Sequence, residues 1–310
     1  MKDSIKVFSP ASIGNIGCGF DVLGLCLDNL GDEIELIKSD TNRIKIIEIT
    51  GDNNLLPKDP KSNSVSIAIN SFLYDENIQI GIDIFLRKKM PIKSGLGSSA
   101  ASAVGGIYGI SRLLNLKRKK SELIKYAMHA EKKTSGSDFP DNVSASMLGG
   151  IILARKKTPL DIIEISYPKD LYIVLIYQNI HLDTKKSRSI LPRNISLSLA
   201  TKQWGNIGGL VLGFERGDYD LIYRSIEDFV AEPTRSKLIP NFISIKKRLQ
   251  HCPKNAFGIS GSGPTCFALC QGQNNAMIIK NELSDLSKKN NFDLAISLSQ
   301  VNNKGVKIIK

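Results

Sequence analysis

The feature that most constrains this chain is a strand-like run that leads, within a few residues, into a glycine-rich turn and a helix of small residues. Ile78-Gln79-Ile80-Gly81-Ile82-Asp83-Ile84-Phe85-Leu86 places isoleucine at every second position, the period of a strand with one buried face. Pro91-Ile92-Lys93-Ser94-Gly95-Leu96-Gly97-Ser98-Ser99-Ala100-Ala101-Ser102 follows, and a helix is predicted from Ser98 to Leu114. Glycines there let the backbone come close to a ligand, while the free N–H groups and dipole of the helix start favour an anion. Hydroxyls at Ser98 or Ser99 suit a phosphate oxygen or a magnesium ion. The segment lacks the Gly-Lys-Ser/Thr of a Walker A loop and is no dinucleotide fingerprint. On these residues alone, a tight strand-to-helix turn packed with small side chains is the alternative.

A second feature favours the anion. Ser121 is a good N-cap for a helix running to Lys133, with Leu123, Ile124, Ala127 and Met128 as its apolar stripe. Glu131 lies seven, four and three residues after the last three of these, so it continues the buried face. A carboxylate there is costly unless a cation or donor compensates it. Magnesium bound to ATP phosphates is such a cation; a side chain that snorkels to water at the helix end is the other reading.

Elsewhere, short strands are predicted near Ile5–Ser9, Glu33–Lys38 and Arg43–Ile49. After Gly149-Gly150 come strands at Ile151–Ala154 and Asp161–Ser166, then the apolar, central Leu171–Tyr177. Helices are expected at Ile195–Phe214, Asp218–Val230 and Asn241–Leu249. Two strands flank the turn Gly258–Pro264, followed by a helix at Asn275–Lys289 and a strand at Leu294–Ser299. The reading is α+β with two domains, 1–160 and 161–310, since 310 residues exceed what one core usually serves.

Composition narrows the function classes. The net charge of +12 comes mostly from scattered lysines, aromatics make up 6%, and no nucleic-acid module accompanies them, so no nucleic-acid partner is expected. Apolar runs are too short to span a bilayer, and the start of the chain offers no signal-peptide core. No membrane partner and a cytoplasmic location are therefore expected. The five cysteines follow neither a disulfide nor a zinc pattern; Cys266 and Cys270 read as packing residues, and His251 beside Cys252 finds no ligand cluster.

The loop at residues 91–102 resembles the phosphate loop of the GHMP kinase superfamily. Three further segments are similar to homoserine kinases within it: Pro10-Ala11-Ser12-Ile13-Gly14-Asn15-Ile16-Gly17-Cys18-Gly19-Phe20-Asp21-Val22-Leu23-Gly24, Ser135-Gly136-Ser137-Asp138-Phe139-Pro140-Asp141-Asn142-Val143, and Gly258-Ile259-Ser260-Gly261-Ser262-Gly263-Pro264-Thr265. The four occur in the family's order across nearly the whole chain. The resemblance implies a ribosomal-S5-like N-terminal domain, a ferredoxin-like C-terminal domain and an active site between them. It also implies ATP and Mg2+, L-homoserine as substrate, a homodimer, and a step in threonine biosynthesis.

Residue by residue, the resemblance puts Pro91, Ser94, Gly95, Leu96, Gly97, Ser98, Ser99, Ala100 and Ala101 at ATP, and Ser98, Ser99 and Glu131 at the metal. Asn15, Asp21, Thr184, Arg188, Arg235 and Gly261 fall at homoserine, with Asp21 accepting from the hydroxyl. Asn142, eleven residues after Glu131, falls at the reacting oxygens. An arginine fork suits the substrate carboxylate. Asp21 also reads as an N-cap for a helix beginning at Val22, and Thr184 as a turn residue. Direct in-line transfer is expected, with Asn142 and Asp21 as the catalytic pair; Asp141 is not expected to be the base. Phe139 stands where histidine is common in homoserine kinases, and Cys18 where proline is common. Competing readings are a kinase for another small alcohol, a sensor that kept the fold, and a nucleic-acid-binding protein.

Overall fold

Alternating apolar residues build the larger of two sheets. The computed structural model describes residues 3–136, 138–252 and 254–310; Ser137, within one of the four motifs, lies outside the described residues. Strands β1 (Ser4–Gly14) and β2 (Leu23–Ser39) pair antiparallel, and β3 (Ile44–Thr50) follows at the sheet edge. Helix α1 (Ser64–Asp75) precedes β4 (Gly81–Arg87), which lies antiparallel to β2 and parallel to β3. Helices α2 (Ser98–Leu113), α3 (Lys120–Ser135) and α4 (Pro140–Leu148) come next, then β5 (Ile151–Lys156), paired with β2, and β6 (Asp161–Ile165). Buried residues of α1 to α3, such as Phe72, Ile107 and Ile124, share one core with Val7, Leu36 and Ile84 of the sheet.

The second sheet opens with β7 (Leu171–Gln178), followed by α5 (Thr184–Ser189), α6 (Leu197–Arg216), α7 (Tyr219–Ser225), α8 (Glu232–Arg235) and α9 (Phe242–Gln250). Strands β8 (Asn255–Ile259) and β9 (Cys266–Gln271), helix α10 (Gly272–Asn290) and β10 (Leu294–Gln300) complete it, and β11 (Lys307–Ile308) returns to pair with β1. The antiparallel order β10-β7-β9-β8 is the ferredoxin-like one, with β7 inside the sheet as its apolar run predicts. A second core joins the sheets: Ile13, Leu23 and Leu25 pack with Ile173, Phe267 and Leu269 and with Phe214 and Ile222 of α6 and α7. Mixed helix and strand in two lobes makes the fold α+β, as the sequence predicts.

Three expectations need correction. No helix begins at Val22: Leu23 opens β2, and Asp21 is held at φ 61°, so Asp21 caps nothing. The run from Ile78 becomes strand only at Gly81, because the preceding residues turn out of α1 and the Ile78 N–H donates to the Leu73 carbonyl. The helix expected to reach Val230 stops at Ser225, where Asp228 draws the N–H groups of Val230, Ala231 and Glu232 onto its carboxylate. Helices α1, α4, α5 and α8 and strand β11 are additions. Cys266 and Cys270 are buried in β9 as expected, and no described helix is long and apolar enough to cross a membrane.

Beneath the start of α2 lies a buried ion pair. Lys88, just past β4, contacts the carboxylate of Asp32 on β2 and donates to the Ser98 carbonyl (3.0 Å) and the Ser102 hydroxyl (3.0 Å). The Lys89 N–H also donates to Asp32 (3.0 Å). Burial pushes the Asp32 carboxyl up and the Lys88 ammonium pulls it back. Lys88→Met should cost about 3–5 kcal/mol in chemical denaturation, because an uncompensated charge stays behind, and Lys88→Met with Asp32→Leu should recover most of it. A double variant no more stable than the single one would show that the pair is not what Asp32 depends on.

Candidate active site

The glycine-rich loop is held in place by the opening and closing motifs. Ser12 N–H donates to the Leu96 carbonyl (3.1 Å), Thr265 N–H to that of Ser94 (3.0 Å), and the Ser260 hydroxyl to that of Gly95 (2.7 Å). Two glycines are obligatory here. Gly95 (φ +83°) would carry a Cβ 2.4 Å from the Ser260 carbonyl, and Gly97 (φ +66°) one 2.3 Å from the Ser12 hydroxyl. Gly97 is the N-cap of α2 and lends it no side-chain hydrogen bond. The first-turn N–H groups are thus left for a ligand.

That helix start borders a cleft of about 390 Å³. Among the predicted residues, Gly95, Gly97, Ser98, Ser99, Ala100, Glu131, Asn142, Thr184 and Gly261 line it. Pro91, Ser94, Leu96 and Ala101 do not; Ser94 donates to the Pro91 carbonyl (2.7 Å), and Leu96 and Ala101 are buried in the core between the sheets. Sequence reading missed Leu55, Leu56, Pro57, Asn63, Ser64 and Lys88, which also line it. Asn63 caps α1, its side chain accepting from the Val65 N–H (3.2 Å). An Asn-Ser pair before an apolar run is the signal that could have found it.

Glu131 turns into the cleft, where its carboxylate accepts from the Ser99 hydroxyl (2.5 Å). Burial raises its pKa to about 7, with the Ser99 bond and the Lys88 charge opposing. The Ser98 hydroxyl is buried without a hydrogen-bond partner. One carboxylate and two hydroxyls, with the remaining positions left to water and phosphate, is the oxygen donor set that magnesium takes. The residues fit the ion.

At Gly261 the cleft meets a cavity of about 10 Å³ lined by Asn15, Asp228, Glu232 and Arg235. Asn15 (φ 71°) donates to the Gly261 carbonyl (3.2 Å) and accepts from the Asp21 N–H (3.0 Å). Arg188 Nη2 donates to both oxygens of Asp21 (2.6 and 2.8 Å). Arg235, buried, donates through Nη1 to the same Gly261 carbonyl (2.8 Å), while its Nε has no partner. Burial raises the Asp21 pKa against the pull of Arg188, Arg235 and Lys157, and burial lowers that of Arg235. Asn142, on the first turn of α4, accepts from the Ser12 hydroxyl (2.9 Å). Its neighbour Asp141 is raised to about 7 by burial and then by the charge of Asp21, while the Asn142 and Asn15 N–H groups hold its carboxylate.

One end of this arrangement suits a metal-bound polyphosphate, and the other suits a small molecule carrying both charges. Comparisons with known proteins identify the chain's family. Residues 63–150 match the family described as GHMP kinases N terminal domain, and residues 210–289 match GHMP kinases C terminal. Homoserine kinase of Chloroherpeton thalassium is 39% identical, covering 97% of this chain and 98% of its own. That of Chlorobaculum tepidum is 40% identical over 88% and 87%. The crystal structure of homoserine kinase from Cytophaga hutchinsonii superposes with a TM-score of 0.95 at 45% identity, covering 100% of this chain and 98% of that one. A mevalonate kinase structure at 17% identity (TM-score 0.69; 97% of this chain, 99% of that one) shares the fold alone. The chain belongs to the homoserine kinase family of the GHMP kinases.

Proposed function

We propose that the enzyme transfers the γ-phosphoryl group of ATP to the hydroxyl of L-homoserine, forming O-phospho-L-homoserine and ADP in threonine biosynthesis. The observation that carries this reading is the meeting, at Gly261, of the cleft at the α2 start with the cluster of Asp21, Arg188 and Arg235. Loop residues 91–101 would cradle the phosphates on backbone N–H groups, and Leu55, Leu56 and Pro57 offer an apolar wall for the base. Ser98, Ser99 and Glu131 would hold the magnesium ion that accompanies ATP, whose chemistry is to offset charge on the phosphate oxygens. Arg188 and Arg235 would take the homoserine carboxylate, with Asn15, Thr184 and the Gly261 carbonyl around the rest of the molecule.

Asp21 lies beside both arginines, which suits it to the ammonium at least as well as to the hydroxyl. Asn142, steadied by Ser12, would orient the hydroxyl for in-line attack. The new bond joins that oxygen to the γ-phosphorus, the bond to the β-phosphate oxygen breaks, and the hydroxyl proton passes to a phosphoryl oxygen. A loose transition state needs positioning more than a strong base. Asp141 is spent on the backbone of Asn15 and Asn142 and is not assigned that role.

A homodimer fits the exposed face of α6. Leu197 (73% exposed), Trp204 (60%) and Leu212 (46%) form a stripe, and Gly205 and Gly208 have open space where a Cβ would stand. Two such faces would pack around a two-fold axis. The reading places the enzyme in the cytoplasm, where ATP is made available.

ADP release should be seen with L-homoserine but not with mevalonate, galactose or shikimate; turnover of any of these, and none of homoserine, overturns the assignment. Arg235→Ala should raise the homoserine KM by an amount equivalent to about 2–5 kcal/mol. In the free enzyme Glu131 titrates at about 7, and only its ionised form holds a cation. The KM for ATP with magnesium should therefore rise as pH falls below that value, approaching roughly tenfold per unit. Glu131→Gln should start with a high KM and show no such slope. Light scattering should give twice the chain mass of 34.0 kDa, and Trp204→Glu should halve it; a single-chain mass for the unaltered protein removes the dimer.

A further inference from the structure

Three cations and two aromatic rings alternate beside the Asp21, Arg188 and Arg235 cluster. Lys157 Nζ sits 5.3 Å from the Phe139 ring centroid, and the Arg188 guanidinium 4.2 Å from the same ring. Arg188 is also 5.3 Å from the Phe20 ring, over which Arg235 lies at 5.2 Å. The order is Lys157, Phe139, Arg188, Phe20, Arg235. Each distance is within the reach of a cation–π attraction, and burial strengthens such contacts.

The charges along this ladder are unequally satisfied. Lys157 pairs with Asp138 (2.5 Å). Arg188 reaches Asp21 through Nη2 alone, so the rest of its fork has no hydrogen bond among the described residues. Arg235 has no carboxylate at ion-pair distance among them, and its buried Nε is unpartnered. Two guanidiniums that repel one another are thereby held side by side with free donors, and the ring common to both is Phe20. A phenyl ring carries no lone-pair acceptor, so it can fix a guanidinium without taking the N–H groups that Asp21 and the Gly261 carbonyl leave free.

We propose that Phe20 and Phe139 are positioning residues, acting as a cation–π clamp that holds Arg188 and Arg235 ready for the α-carboxylate of the amino-acid substrate. The proposal rests on the homoserine reading above.

The test keeps shape and changes only the ring's electrons. Phe139, and separately Phe20, is replaced by phenylalanine carrying one, two or three fluorines, using stop-codon suppression in the full-length enzyme. Each fluorine weakens the negative ring face. The homoserine KM should climb with fluorine count, reaching about 3- to 10-fold for the trifluoro ring, while kcat, the KM for ATP and the melting temperature stay within error. Phe139→Leu should resemble the trifluoro enzyme and Phe139→Tyr the unaltered one. A homoserine KM that is flat across the series, or a fall in kcat with KM unmoved, overturns the clamp alone. Absence of homoserine turnover by the unaltered enzyme overturns the functional reading and the clamp with it.

Discussion

Everything in the site depends on how the loop between Pro91 and Gly97 is held. It has to present the first N–H groups of α2 to a ligand, so it cannot use them to hold itself. Its carbonyls do that work instead. Those of Ser94, Gly95 and Leu96 accept from Thr265, Ser260 and Ser12, residues about 170 positions away on one side and 80 on the other. The price is steric: at Gly95 and Gly97 the neighbouring backbone and side chains come so near that no Cβ fits. The helix start is thus open to solvent on its donor side and closed by protein on its acceptor side. Both lobes must be folded for the loop to take this shape.

Charge follows the same division. Where the loop needs a cation beneath it, Lys88 is placed against the Ser98 carbonyl, and its counter-charge Asp32 is taken from the neighbouring strand. Nothing of that pair was legible in the sequence, because Lys88 and Asp32 are 56 residues apart and each reads as an ordinary strand-end charge. Glu131 was legible because helix periodicity is local: its spacing from Ile124, Ala127 and Met128 put it on the inner face. Most strands were legible for the same reason, from two-residue alternation or from unbroken apolar runs, but β11 and the first half of β2 were not. Helices α1 and α4 escaped because Ser, Ala and Asn at their turns blur the apolar stripe, and Asp218–Val230 looked like one helix because the break depends on Asp228 folding back onto N–H groups beyond it. The substrate-side residues could be named only through resemblance to a family; alone, Arg188 and Arg235 were two among 42 basic residues.

Asp141 shows how the two ends of the site are kept in register. It sits in the first turn of α4, where the helix dipole favours a carboxylate, and its oxygens lie against the N–H groups of Asn142 in its own helix and of Asn15 in the opening motif. Gly14 beside it has no room for a side chain: a Cβ would lie 2.5 Å from the Asn142 amide and 2.6 Å from the Asp141 carboxylate. Asn15 in turn binds the carbonyl of Gly261, the residue common to both cavities. A displacement of α4 would therefore carry Asn142, Asn15 and the closing motif together rather than one at a time. A carboxylate with that many structural obligations is poorly placed to accept a proton from a substrate. Its position is better understood as the cost of tying Asn142, Asn15 and the Gly261 carbonyl to a single short helix.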